Sequence, residues 1–135
     1  MTKRNAPNRK ATRIQIIGHG ITAKAVKAYC LSQAYTLCDA DPDYTIMSPG
    51  IRPDRITSTG IKLAEVEFAY REWNKQTAGS RPYLIGVTGT NGKSTVATLI
   101  AQLLDCPVVG NIGDPLIKYV TQSYPVLVCE LSSFQ

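Results

Sequence analysis

Gly86-Val87-Thr88-Gly89-Thr90-Asn91-Gly92-Lys93-Ser94-Thr95 (GVTGTNGKST) is the stretch on which the reading of this chain turns. Before it, Tyr83–Val87 is an apolar run of strand length. After it, Val96, Leu99, Ile100, Leu103 and Leu104 recur at helical spacing, which predicts a helix from Ser94 to about Leu104 with those residues as its core face. A strand, a glycine-rich turn and a helix together make a grip for phosphate. Glycine lets the backbone approach without a Cβ in the way, and free amides and the helix N-terminus meet the negative charge. In such a loop Lys93 supplies a point charge for the β- and γ-phosphates and Ser94 a hydroxyl for Mg²⁺. The spacing departs from the generic G-x-x-x-x-G-K-[ST]: the position five before Gly92 is Val87, and the glycines stand at 86, 89 and 92.

Outward from the loop, the pattern alternates. Pro107–Val109 reads as a strand ending in Gly110-Asn111-Ile112-Gly113, Pro115–Val120 as a helix with proline near its start, and Val126–Leu131 as a buried strand carrying Glu130 near its end. A carboxylate at the end of an apolar strand needs a partner, and a metal beyond the C-terminal end of a parallel strand is one such partner. Towards the N-terminus, Arg13–Gly18 is an apolar strand ending in glycine, and a helix follows with Ala23, Val26, Lys27, Cys30 and Leu31 at helical spacing. Tyr35–Cys38, Tyr44–Met47 and Ile61–Leu63 read as further strands. Arg52–Ser58 reads as a helical turn, and Ala64–Trp73 as a helix packing through Val66, Ala69, Tyr70 and Trp73. The fold class is therefore α/β, a parallel sheet flanked by helices. The stretch Thr77-Ala78-Gly79-Ser80-Arg81-Pro82 is the one clear linker signal. It divides the chain into a basic tail (1–12), a Rossmann-like domain (13–77), a linker (78–82) and the beginning of a P-loop ATPase-type domain (83–135). One stretch resists: only Asp39–Asp43 separates the second and third strands, and parallel neighbours need a crossover of about a dozen residues. Either those strands are not neighbours or one is not a strand.

Composition narrows the class of function. The 135 residues are 44% apolar and 19% charged, ordinary for a soluble globular chain. Neither a run long enough to span a bilayer nor a signal-peptide h-region is present, so the default reading is cytoplasmic, without membrane insertion. The net charge of +5 sits in Lys3, Arg4, Arg9, Lys10 and Arg13, with a neutral body behind it. It therefore argues for a solvated tail rather than a nucleic-acid surface. Cys30, Cys38, Cys106 and Cys129 lack metal-ligand spacing and read as mostly buried, reduced thiols; His19 is the only histidine.

The off-pattern glycines resemble a particular group. GVTGTNGKST is similar to the nucleotide loop of the Mur ligases and their folylpolyglutamate synthase relatives. Gly110-Asn111-Ile112-Gly113 and Glu130-Leu131-Ser132-Ser133-Phe134-Gln135 resemble segments of the D-glutamate-adding branch. Ser48-Pro49-Gly50-Ile51 matches that branch's SPGI segment, and Ile17-Gly18-His19-Gly20-Ile21-Thr22 resembles its first nucleotide-binding turn. The resemblance runs from about Arg13 to Gln135.

It implies an ATP-dependent amide ligase of peptidoglycan precursor synthesis. ATP phosphorylates the carboxylate of UDP-N-acetylmuramoyl-L-alanine, and the amine of D-glutamate attacks the acyl phosphate. Carried over by residue, Gly89, Thr90, Asn91, Gly92, Lys93, Ser94 and Thr95 would wrap the ATP phosphates, and Ser94 and Glu130 would hold Mg²⁺. Lys93, Glu130 and Asn111 would be the catalytic group, with Asn111 near the reacting end of the UDP-linked substrate. Gly20, Ile21 and Thr22 would lie against the diphosphate, Asp39 against the uridine, and Ser48, Pro49 and Gly50 along the same site. Ala40 and Asp41 stand where the related ligases offer a hydroxyl and a basic side chain, and an acid at position 41 is unfavourable beside a diphosphate. The family's central domain continues beyond its ELSSFQ segment, so the expectation is a piece of a longer ligase, inactive alone. The alternatives are another Mur or folylpolyglutamate-type ligase, or a non-catalytic nucleotide-binding module.

Overall fold

The computed structural model describes residues 11–76 and 81–132. Residues 1–10 of the expected tail, positions 78–80 of the expected linker and the last three residues of ELSSFQ lie outside that range.

The first half builds a four-stranded parallel sheet. Its strands are β1 (Arg13–Ile17), β2 (Thr36–Leu37), β3 (Tyr44–Met47) and β4 (Ile61–Ala64), in the order β2-β1-β3-β4. Helix α1 (Gly20–Ser32) follows β1, and α2 (Glu65–Asn74) follows β4 without a break. Alternation along the strands sorts the side chains. Ile14, Ile46 and Leu63 are buried under Val26 and Cys30 of α1 and Val66, Phe68, Ala69 and Trp73 of α2. Gln15, Thr45 and Lys62 are paired in register on the opposite face.

That opposite face carries loops instead of helices. The Thr45 hydroxyl lies 2.6 Å from Ser58 Oγ and 3.2 Å from Gln15 Oε1, and Lys62 Nζ donates to the carbonyls of Pro53 and Ile56 at 3.0 and 2.6 Å. These bonds fix the loop that contains the 3₁₀ turn Pro53–Arg55. The flanking by helices expected from the sequence is thus one-sided here.

The short β2–β3 connection has the same explanation. The two strands are not neighbours: each pairs with β1, and Leu37 and Tyr44 both lie level with Ile14. The chain has only to cross one strand, as a strap, so no helix-length crossover is needed. Arg13 and Gln15 hold that strap. Gln15 Nε2 donates to Asp39 O at 2.9 Å. Arg13 donates to Ala40 O at 2.7 Å and to Asp41 Oδ2 at 2.9 Å, and its amide donates to Asp43 Oδ2 at 2.7 Å.

The second half builds a three-stranded parallel sheet, β5 (Tyr83–Val87), β6 (Val108–Gly110) and β7 (Val126–Glu130), in the order β5-β7-β6. Leu127 and Cys129 of β7, with Val109 of β6, join the core shared with the first sheet. Val128 and Val87 point to the other side, against Ala97 and Ala101 of α3 (Lys93–Leu104). Pro115–Val120, expected as a helix, is a 3₁₀ turn over Leu116–Tyr119. One turn suffices to drive Leu116, Ile117 and Val120 into the crevice against α1 and α2, and pieces this short favour the tighter winding. It joins the two sheets into one core.

Two expected core faces differ. Helix α3 packs through its alanines, which bring it close to the sheet; Val96, Leu99, Leu103 and Leu104 are exposed, Leu103 at 85%. In α2, Phe68 is buried and Tyr70 is 47% exposed, because the buried stripe runs through 65, 68 and 72 as well as 66, 69 and 73. Cys30 and Cys129 are buried, with thiols pushed up to about 12 by desolvation first and by nearby carboxylates second, so they are protonated and unreactive; Cys38 and Cys106 are half-buried.

Candidate functional site

The register of the second sheet sets Val87, Glu130 and Gly110 side by side at the C-terminal ends of β5, β7 and β6. The phosphate loop leaves from the first of these and Asn111 from the last. Gly89 and Gly92 have φ of +147° and +77°, so the loop turns where side-chain-bearing residues are strained. Gly92 caps α3 without a side-chain bond, and the first turn holds no acid. Thr88 through Gly92 are exposed and Lys93 is half-buried. The free amides of that turn therefore face solvent, ready for an anion.

Glu130 is 1% exposed. Ser94 Oγ donates to its Oε2 at 2.6 Å, and Asn111 Nδ2 donates to its Oε1 at 2.9 Å. Among the described residues no lysine or arginine pairs with it. Its two oxygens are therefore satisfied by neutral donors alone, Ser94 and Asn111. The second strand-end turn must be tight to bring Asn111 there. A Cβ at Gly110, whose φ is +98°, would lie 2.6 Å from Glu130 O, and Gly110 N donates to Asp114 O at 2.9 Å. The family resemblance had grouped Ser94 with Glu130 and Glu130 with Asn111; the sheet register brings all three into direct hydrogen-bond contact.

These donors fit Mg²⁺. Ser94 and Glu130 offer oxygen only, adjacent to a loop for phosphates, and Mg²⁺ is characteristically held by one or two carboxylates together with phosphate oxygens and water. Among the described residues no group of three or more His, Cys, Asp or Glu side chains could hold a metal by itself.

A second concavity, of about 530 Å³, opens beside the first sheet. Gly18, His19 and Gly20 form one wall, Leu37, Cys38 and Asp39 another, and Ala23, Lys24 and Lys27 continue the wall along α1. Gly20 and Asp39 thus meet in one cavity. Ile21, 64% exposed, and Thr22 do not line it, nor do Ser48, Pro49 and Gly50. Ser48 Oγ is buried without a hydrogen-bond partner and lies against Gly18, where a Cβ would strike it. Asn111 is engaged by Glu130 in the second sheet. Asp41 is drawn out onto the strap by Arg13, so it does not line the cavity. The sequence reading missed Lys24 and Lys27; their signal was the i, i+3 spacing on a helix that begins at a glycine turn.

No protein-family model matches the chain. Individual proteins do. The chain is 37% identical over 139 residues to UDP-N-acetylmuramoylalanine–D-glutamate ligase of Tropheryma whipplei strain Twist, a match covering 93% of the chain and 28% of that ligase. The ligases of the same name from Clostridioides difficile strain 630 and Gloeothece citriformis are 39% and 34% identical, over 70% and 97% of the chain and 23% and 30% of their own lengths. The chain therefore spans less than a third of the curated relatives it matches.

Proposed function

Starting from a chain similar over almost all its length to UDP-N-acetylmuramoylalanine–D-glutamate ligases of the Mur family, we propose that it carries the ATP-phosphate and UDP-substrate sites of an amide ligase that adds D-glutamate to UDP-N-acetylmuramoyl-L-alanine. The observation that carries the reading is the contact of Ser94 and Asn111 with buried Glu130 at the mouth of the phosphate loop. A loop for phosphates alone needs no such carboxylate; one that aligns a metal-bound nucleotide for phosphoryl transfer does.

In this reading residues 13–77 form the UDP-substrate domain and residues 83–135 belong to the ATP domain, with 78–82 as the linker. Amides of Gly89–Thr95 wrap the phosphates, and Lys93 meets the β- and γ-oxygens. Ser94 and Glu130 would hold Mg²⁺, which when bound would supply charge neutralisation at the transferred phosphoryl group. Asn111, freed from the same carboxylate, becomes a donor towards the substrate's reacting carboxylate. Gly20 and Asp39 take the diphosphate and uridine ends in the cavity of the first sheet. The whole reaction, through an acyl phosphate to the amide, is proposed at the length of the matched ligases. These 135 residues contribute binding and are proposed to form no amide alone. No described helix is long and apolar enough to cross a membrane.

Calorimetric titration with MgATP tests the loop. Saturable binding that Lys93→Ala weakens at least about tenfold is expected, since a lost charge-assisted contact is worth that much. Absence of binding to the parent chain, or equal binding by Lys93→Ala, overturns the assignment. Thermal protection tests the substrate. UDP-N-acetylmuramoyl-L-alanine should raise the melting temperature, whereas protection only by longer UDP-muramyl peptides would move the reading to another Mur ligase.

A further inference from the structure

Lys24 and Lys27 line the cavity of the first sheet, and neither has a carboxylate partner among the described residues. We propose that these two lysines grip the diphosphate of the nucleotide bound there, making the flank of α1, rather than the β2–β3 strap, the source of positive charge. The proposal rests on the reading of that cavity as a UDP site.

Three features support it. Lys24 lies one turn beyond Gly20, and Lys27 one turn beyond Lys24, so the helix start and both ammonium groups share a face. The rise between the lysines, about 4.5 Å from three residues of helix, suits two linked phosphoryl groups. The strap offers no cation to the cavity: its basic neighbour, Arg13, is spent on Asp41 Oδ2 and Ala40 O. The same bonds hold the acid at position 41 away from the anion. The strap therefore contributes only Asp39 to the cavity wall, and α1 contributes two positive charges against that single negative one. Lysine on a flexible stem suits this task, because a diphosphate presents a point-charge target in several geometries.

The test is calorimetric titration of the 135-residue chain at low ionic strength with UDP, UMP and uridine. The parent chain should bind UDP at least about tenfold more tightly than uridine, with UMP between them, as expected when each phosphoryl group gains a charged contact. In Lys24→Gln/Lys27→Gln that preference should fall to within about twofold while uridine affinity is unchanged, and Lys24→Arg/Lys27→Arg should keep most of it. Arg55→Gln, on the loop covering the opposite sheet face, controls for the loss of a positive charge remote from the cavity and should bind UDP as the parent does. If the double glutamine variant keeps its preference for UDP, or if Arg55→Gln loses as much, the lysine proposal is overturned while the cavity remains a nucleotide site. If the parent chain binds neither uridine nor UDP, the reading of the cavity falls and takes the proposal with it.

Discussion

A strand, a glycine turn and a helix occur twice in this chain, and the two copies are put to different use. Around Gly18–Gly20 the helix packs deeply: Val26 and Cys30 are buried in the core that also takes Trp73 and Leu116. Around Gly89–Gly92 the helix rests on two alanines, in a small satellite core with Val87 and Val128. The chemistry divides the other way. The second turn has Lys93 and Ser94 at its helix start and buried Glu130 facing them; the first has only exposed lysines further along the helix. Secure packing and a committed site are thus separate properties of one local motif. The first follows from which residues lie on the helix's inner face, the second from what the neighbouring strand presents at its end.

The largest expected effect tests the packing half of that contrast. Trp73→Ala should cost about 3–5 kcal/mol in urea unfolding, because it hollows out the core common to both sheets. An effect below about 1 kcal/mol would mean that the two sheets do not share that core.

Glu65 gives the next effect. It begins α2, is fully buried, accepts from Ile117 N at 2.7 Å and has its second oxygen unpartnered. Burial pushes its pKa up from the usual 4.5 to about 7, against the lowering by that single amide. The folded state holds the proton more tightly than the unfolded one. The full stability is therefore present below about pH 4.5 and is lost as pH rises through 7, by about 3 kcal/mol. Melts at pH 5 and pH 8 should show this loss, and Glu65→Gln should flatten it. An unchanged pH dependence in the variant would remove Glu65 as the cause. Since this carboxyl bonds to the turn joining the two sheets, the measurement also reports on their union.

The helix ends supply a smaller pair. Both helices finish on a left-handed residue, Ala34 just beyond α1 and Asp105 at the end of α3. Ala34→Gly should gain about 1 kcal/mol and Asp105→Gly less, because aspartate tolerates that conformation better than alanine. Equal gains would undo the distinction. Smallest of all, Leu103→Ala should change stability by no more than about 0.5 kcal/mol, since the side chain is 85% exposed; a core-sized loss would restore the leucine face to the interior.

Much of the molecule was legible in advance for a local reason. Strand and helix positions agree within a residue or two along most of the chain, since apolar periodicity and glycine punctuation act over neighbours. The phosphate loop and Glu130 were nominated in the same way. Their contact was not, because it depends on Val87, Glu130 and Gly110 falling level in the register. The inner face of α3 was misread because a helical repeat of leucines does not reveal that Ala97 and Ala101 allow the closer approach to the sheet. Tyr70 was misassigned because two adjacent stripes of α2, rather than one, are covered.

By itself, then, the sequence determined the parallel α/β character, the two glycine turns and the chemical types available at each, all consequences of short-range sterics and side-chain chemistry. Only the tertiary structure decided that β2 and β3 lie on opposite sides of β1, so that a short strap replaces a crossover. It also decided that Arg13 turns Asp41 away from the cavity, and that Glu130 and Glu65 are buried. Those outcomes depend on residues tens of positions apart meeting across strands, and a spacing rule carries no information about which of them will meet.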